Sequence, residues 1–352
     1  MSSFSSSSSF RLPLELSARE PPERRGMARD EVKLIVINRN NYKIDHSRFY
    51  SLGIYLRRGD LLVFNTSRTL PALLNGCSHL IGSCIEVRLA EHLPDDSWLA
   101  LLRCKIGDPF TCGLRSGIQI NFGHGLVGTV YGRDKNIHRL WKIRFSKSRA
   151  ELMDVLYRLG QPIRYEYLSM PWDLDYYQTV YAREPGSAEM TSAGRAFTWK
   201  ILFELKRSGI NIAYTMLHTG LSSYMDDVLD AKHPSSEEEY FISEATAEKI
   251  NTPHSQGGRV IAVGTTVVRV LESVADSIGR VTAKHGYTRL HITANHRLKA
   301  VDGLLTGLHE PEASHLDLLS AFIPAKKMHE AYEEAIKKKY LWHEFGDLNL
   351  IL

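Results

Sequence analysis

The sequence predicts an α/β protein: a largely parallel sheet domain covered by helices, with a small antiparallel β-barrel domain inserted into it. Three observations carry that reading. From about Leu73 to Phe145, short runs of alternating apolar and polar residues follow one another between turn signals, the pattern of a small antiparallel barrel or sandwich. After about Ser148, strand-like runs alternate with helical periodicity, which implies parallel strands joined by helices. A buried-type strand, Leu61 to Asn65, precedes the barrel, so the sheet domain draws on residues from both sides of it. The expected division is a disordered leader over 1–9, the α/β domain over 10–72 and 148–352, and the inserted barrel over 73–147.

The elements follow in order. The opening "MSSFSSSSSF" is a serine tract with neither a basic n-region nor an apolar h-region, so it reads as a leader and not as a secretory signal. Barrel strands are expected at "CIEVRL", "WLALLRC", "GIQINF", "LVGTVYG" and "RLWKIRF", with turns at Pro94-Asp95-Asp96 and Gly123-His124-Gly125. "RAFTWKILFELKRSG" puts Phe197, Ile201, Leu202 and Leu205 on one helical face and stops at Gly209. "INIAYTMLH" reads as a strand, "SEATAEKI" as a helix with Ser243 as N-cap, "RVIAVG" as a strand and "TTVVRVLESVAD" as a helix. "GYTRLHIT" and "DGLLTGLH" are strand candidates, the second with a helical start as its alternative. "SHLDLLSAF" and "KKMHEAYEEAIKKKY" close the chain as helices.

Composition narrows the class. The 352 residues are 43% hydrophobic and 24% charged, ordinary for a globular protein. No run approaches the roughly 20 apolar residues of a membrane span, and the chain is expected to be cytoplasmic. The net charge of +4 permits contact with a nucleic acid without demanding it. The basic clusters, Arg19 to Arg29 and Lys337-Lys338-Lys339, read more simply as solvated surface than as a binding stripe. Cys77, Cys84, Cys104 and Cys112 do not have the two-to-four-residue spacing of structural zinc sites. They are expected as buried thiols, and no metal is expected.

Open parallel sheets bind ligands at the carboxyl ends of their strands. Those ends carry Asn65-Thr66-Ser67-Arg68, His218-Thr219-Gly220, Gly264-Thr265-Thr266 and His309-Glu310-Pro311. The loop "GSAEMTSAG", Gly186 to Gly194, adds Ser192, Gly194 and flexible backbone ahead of a helix expected from Arg195. Each has a plain alternative. Thr265 or Thr266 either caps a helix or, with the helix amides, binds an anionic group. Arg269, one turn on, either supports that anion site or pairs with Glu272 on a wet face. His218 is a satisfied interior histidine or a catalyst, Arg68 a surface residue or a ligand contact, and Glu237-Glu238-Glu239 a solvated charge run.

Taken together, the motifs resemble the S-adenosylmethionine:tRNA ribosyltransferase-isomerase family of queuosine biosynthesis, from Phe10 onward. The stretches that carry the resemblance are "GDLLVFNTSRTLPALL", "YYQTVYAREPGSAEMTSAGRAFT", "RVIAVGTTVVRVLES", "KAVDGLLTGLHEPEASHLDLLSAF" and "YLWHEFGDLNLIL". The resemblance implies S-adenosylmethionine as a ribosyl donor, used as a substrate, with adenine and methionine released. It implies an acceptor amine on a 7-deazaguanine, either in tRNA or, for a divergent paralogue, in a free nucleoside or another small amine. A binding protein that kept the fold without turnover is the competing class. Such a reaction needs a base beside the sulfonium, help for departing adenine, and a pocket that fixes the amine.

Carried over residue by residue, the resemblance makes His218, Glu238 and His309 the candidates for proton transfer. Arg68, Ser192, Gly194, Gly220, Gly264, Thr265, Thr266 and Arg269 become candidates for substrate binding, the last three for the methionine carboxylate. Departures fall in the same loops. The family's histidine in the glycine loop is Ala196, and its Leu-His-x-Gly-Ala-Gly-Thr-Phe continues past Gly220 as Leu221-Ser222-Ser223-Tyr224. The His-x-Met-His-x-Glu pattern keeps His233 and Glu238 but has Ser236. Thr66 and Gly307 replace asparagines, and Leu73 replaces an arginine.

Overall fold

Strands buried on both faces need cover from two layers, and the segment Leu61–Asn65, buried at all five positions, anchors such an arrangement. The computed structural model describes residues 10–105, 113–164, 168, 170–226, 237–310 and 315–352. The expected leader, Cys112, His233, Ser236 and Pro311 lie outside them. In chain order, β1 (Lys33–Ile37) and β2 (Ile44–Arg48) pair antiparallel. β3 is Leu61–Asn65 and β4 the short Ser67–Thr69. Then β5 (Leu73–Ser78), β6 (Ser83–His92), β7 (Trp98–Cys104), β8 (Gln119–Gly123), β9 (Leu126–Arg133) and β10 (Leu140–Phe145) close into a barrel.

Helix α1 (Arg149–Leu159) leads back to the sheet, and β11 (Glu184–Ser187) runs parallel to β4. α2 (Trp199–Arg207) precedes β12 (Asn211–Leu217), and β13 (Glu238–Ile242) precedes α3 (Glu244–Ser255). β14 (Val260–Val263) feeds α4 (Thr265–Val274), followed by β15 (Lys284–Thr288) and β16 (Gly303–Gly307). α5 (His315–Leu319), α6 (Ala325–Lys337) and β17 (Leu348–Ile351) complete the chain.

The large sheet has the order β15-β13-β12-β3-β14-β16-β17-β1-β2. Its centre, β12-β3-β14-β16, is parallel throughout, and antiparallel pairs extend it on both flanks. Side chains on β3 alternate between two cores: Leu61 and Val63 enter one, Leu62 and Phe64 the other, as a pleat of period two dictates. Helices α3 and α4 pack on the first face, and Phe49, Phe197 and α2 on the second.

The sheet and barrel are those expected, with informative differences. The segment from Gly303 is a strand, so the helical alternative for it falls away. Helix α2 begins at Trp199, not Arg195, because Ser192–Gly194 forms a separate turn and Thr198 caps the helix by accepting from Ile201 N–H. Phe197 is therefore not on that helix; it fills the core edge-on to Phe49 and Phe64. The supposed charge run opens β13. Cys77 and Cys84 face each other across β5 and β6 and are exposed, and Cys104 is disulfide-bonded, which corrects the expectation of buried thiols.

The start of the barrel meets the segment that follows α1: Leu73 and Gln161 exchange backbone hydrogen bonds of 2.9 Å. Along β6, Ile85, Val87 and Leu89 turn inward and Cys84, Glu86 and Arg88 outward. A bulge then intervenes, the pairing stepping from Leu89 opposite Ala100 to Glu91 opposite Leu99.

Candidate active site between sheet and barrel

Parallel strands collect the residues that end them along one edge, and here Asn65 organises that edge. It is buried. Its Oδ1 accepts from the amides of Leu217 and Ser67, both at 3.0 Å, and its Nδ2 donates to the Leu217 carbonyl at 2.9 Å and to Thr266 Oγ1 at 3.3 Å. One amide side chain thus ties the end of β12, the turn after β3 and the start of α4 together.

His218 follows β12 directly. Its Nδ1 lies 2.7 Å from Ser67 Oγ, which is 2.6 Å from Ser187 Oγ; that hydroxyl also accepts from the Thr219 amide. Nε2 has no partner among the described residues. The ring lies flat against Gly186, where an added Cβ would come within 2.3 Å of it. Burial pushes the imidazole down to about 4, so it is neutral at pH 7. His218 is a hydroxyl-held ring with one nitrogen open, not a core histidine bonded to backbone.

Glu238 begins β13 and is 5% exposed. It pairs with Arg269 Nη1, and its other oxygen faces the Gly220 amide at 3.4 Å. Arg269 Nε donates to the Leu290 carbonyl, while its buried Nη2 has no partner. The wet-face alternative for Arg269 is corrected: Glu272 is buried and turned away, accepting from the amides of Lys299 and Ala300 and facing His296. The solvated alternative for Glu238 is corrected by the same pair. The carboxylate offsets part of the cost of burying the guanidinium.

Gly264, at φ 95°, is the N-cap of α4, and no side chain caps the helix. Thr265 and Thr266 occupy its first two positions, so neither is the cap. Their amides have no carbonyl four residues back within the helix, as at any helix start. The turn Ser192–Gly194 rests on the strand ends: a Cβ on Gly264 would lie 3.6 Å from Ala193, and one on Gly307 4.0 Å from Ser192 Oγ. Gly194 abuts the Tyr181 hydroxyl, leaving no room for a side chain.

Two candidates remain, His309 and Arg68. His309 is turned inward: its Nε2 meets Thr306 Oγ1 at 2.8 Å, its ring stacks on His315 at 4.5 Å, and its carbonyl accepts from Trp342. Burial holds it well below its ordinary value. Arg68 lies in β4 with its guanidinium 5.9 Å over the Tyr157 ring of α1 and its Nε buried without a partner.

A cleft of about 410 Å³ opens where the barrel meets these strand ends. Its sheet wall is His218, Gly220 and Glu238; the facing wall is Glu91 and His92 from β6, with Arg149 from α1. Sequence reasoning missed the second wall. Glu91 is pushed up to about 8, first by burial and then by Glu238, Glu237 and Asp134, with Arg289 opposing. The available signal was an acid and an imidazole side by side at the end of an apolar strand. Among the described residues, no group of three or more His, Cys, Asp or Glu is arranged to hold a metal ion, and no helix is long and apolar enough to cross a membrane.

Fold and site define an α/β protein with a cleft at the carboxyl ends of parallel strands, walled on one side by an inserted barrel. The queuosine biosynthesis protein family matches residues 5–351, and the chain belongs to that family. It is 38% identical over 348 residues to the S-adenosylmethionine:tRNA ribosyltransferase-isomerase of Carboxydothermus hydrogenoformans, covering 97% of this chain and 98% of the relative. It is 39% identical over 350 residues to that of Symbiobacterium thermophilum, with the same coverage. Among solved structures it is similar to the S-adenosylmethionine tRNA ribosyltransferase of Thermotoga maritima, with a TM-score of 0.54 and 28% identity, covering 98% of this chain and 99% of the other.

Proposed function

We propose that the protein is an S-adenosylmethionine:tRNA ribosyltransferase-isomerase, transferring and rearranging the ribosyl group of S-adenosylmethionine onto the amine of a 7-deazaguanine in tRNA. The observation that supports it most is full-length similarity to proteins of that name, in a chain whose cleft holds a neutral imidazole with one nitrogen open. The positive sulfur acidifies the adjacent carbon, and the base in this reading is His218, whose open Nε2 supports that role. Glu238 is the lesser candidate, because both its oxygens are engaged; its role is to hold Arg269. His309 has its Nε2 engaged by Thr306 and is the weakest candidate of the three.

Donor binding falls to the strand ends. The amides of Thr265 and Thr266 and the positive end of α4 suit the methionine carboxylate, and Nη2 of Arg269 is a spare buried donor nearby in the same helix. Ser192, Gly194, Gly220 and Gly264 bring backbone close to the ligand, and Arg68 contacts a hydroxyl-rich or anionic part of donor or acceptor. A tRNA acceptor fits the expected cytoplasmic setting.

The test is direct. The protein is incubated with S-adenosylmethionine alone, with tRNA bearing the aminomethyl-deazaguanine, and with the free deazaguanine nucleoside, and adenine and methionine are followed by mass spectrometry. Release only with tRNA is expected; release with the nucleoside alone would assign a small-molecule acceptor, and release with neither would exclude turnover.

A further inference from the structure

The barrel's contribution to the cleft is chemical as well as steric. In β6 every second side chain enters the barrel interior, and an uninterrupted strand would place Glu91 there, in register with Ile85, Val87 and Leu89. The bulge at Ala90 shifts the register by one and turns Glu91 out of the apolar interior into the cleft. Bulges of this kind re-aim a side chain beside functional sites. The carboxyl so delivered has no hydrogen bond or ion pair among the described residues. Across the cleft stand the open nitrogen of His218 and the Arg269-bound carboxylate of Glu238.

We propose that Glu91 is the acid that protonates adenine as it leaves, with His218 as the base on the opposite wall. This rests on the function proposed above. As the glycosidic carbon–nitrogen bond breaks, its electron pair stays on the purine nitrogen system. The proton of the Glu91 carboxyl passes to the purine, adenine departs neutral, and Glu91 becomes a carboxylate. The acceptor's ammonium gives up a proton, which restores the Glu91 acid, before its nitrogen bonds to the ribosyl carbon, and the proton that His218 takes from the carbon beside sulfur passes to solvent.

The electrostatics fit the assignment. Burial and the neighbouring carboxylates Glu238, Glu237 and Asp134, opposed by Arg289, keep Glu91 protonated up to about pH 8, while burial keeps His218 unprotonated down to about 4. Glu239, His92 and Arg149 complete the ionisable lining. Two groups whose environments drive their protonation apart are the arrangement that acid and base roles require.

Glu91→Gln and Glu91→Asp, both checked for native circular dichroism, test this with single-turnover adenine release. In the parent, release should fall as pH rises through about 8, because the acid is then ionised. In Glu91→Gln the rate should drop by roughly a hundredfold or more, the alkaline fall should vanish, and S-adenosylmethionine affinity by calorimetry should stay near the parent's. Glu91→Asp should recover part of the rate. A donor analogue carrying 2-chloroadenine, a better leaving base, should narrow the gap between parent and Glu91→Gln. A Gln variant at the parent rate, or a slowed one that keeps the alkaline fall and the full gap with the analogue, overturns the assignment. A parent that releases no adenine with any acceptor counts against the function itself, not against Glu91.

Discussion

The two walls of the cleft are built in opposite ways. On the sheet side the polar side chains are tied to one another or to backbone: Asn65 makes four hydrogen bonds, His218 is held by Ser67, and Glu238 by Arg269 and Gly220. On the barrel side His92 is tied to Asp96, but Glu91 has no such partner and lies near the acids Glu238, Glu237 and Asp134, with Arg289 opposing them. The contrast separates positioning from proton supply. A wall fixed by hydrogen bonds holds its groups in one geometry at no cost during the reaction, whereas a carboxyl without partners keeps its proton available for transfer.

The largest break in this contrast should come from Gly186→Val. Its Cβ would collide with the His218 ring, which lies within 2.4 Å of that position, so the imidazole must leave its place beside Ser67. Adenine release should fall by roughly a thousandfold, within the range for losing a positioned base, in a protein that still melts cooperatively. Near-parent activity would mean that the position of His218 is not critical.

Next in size is the buried pair. Arg269→Met leaves Glu238 without its counter-charge and should cost about 3–5 kcal/mol in urea unfolding, whereas adding Glu238→Gln should return a large part of it. Equal losses in the single and double variants would show that the two residues act independently.

The smallest effect concerns pH. His218 is neutral when folded down to about 4, but in the unfolded chain it protonates near its ordinary 6.5. The unfolded state therefore binds the extra proton in between, so this residue's contribution is fully present above about 6.5, is lost progressively as pH falls to about 4, and changes no further below that. Urea midpoints of parent and His218→Gln should accordingly converge over that window on acidification. Parallel curves would show that the imidazole is not depressed.

Legibility in the sequence followed the same divide. β3, β12 and β14 were readable because each is a short apolar run ending in polar residues, and the barrel because strict alternation names its strands. β1 and β17 were not, since they pair with each other from opposite ends of the chain and neither carries a local signal of its partner. β13 hid behind its acids: Glu237-Glu238-Glu239 reads as solvated surface until Arg269, 31 positions away, is brought onto Glu238. Glu91 was hidden by the bulge, because an extra residue in a ladder is defined only against the facing strand.

The adjacency of Leu73 and Gln161 bears on how the chain reaches this arrangement at all. Asn65 must find Leu217 across 152 positions, and the entropy of closing a loop grows with its length. About half of that separation is the barrel, whose strands pair mainly with near neighbours in sequence. Once the barrel and α1 have formed, Leu73 and Gln161 already touch, and the effective distance between β3 and β12 contracts to the lead before Leu73 and the longer one after Gln161. The insertion acts as a splint: it shortens the effective separation of the Asn65–Leu217 contact, and a barrel variant that folds slowly should delay assembly of a cleft it only partly lines.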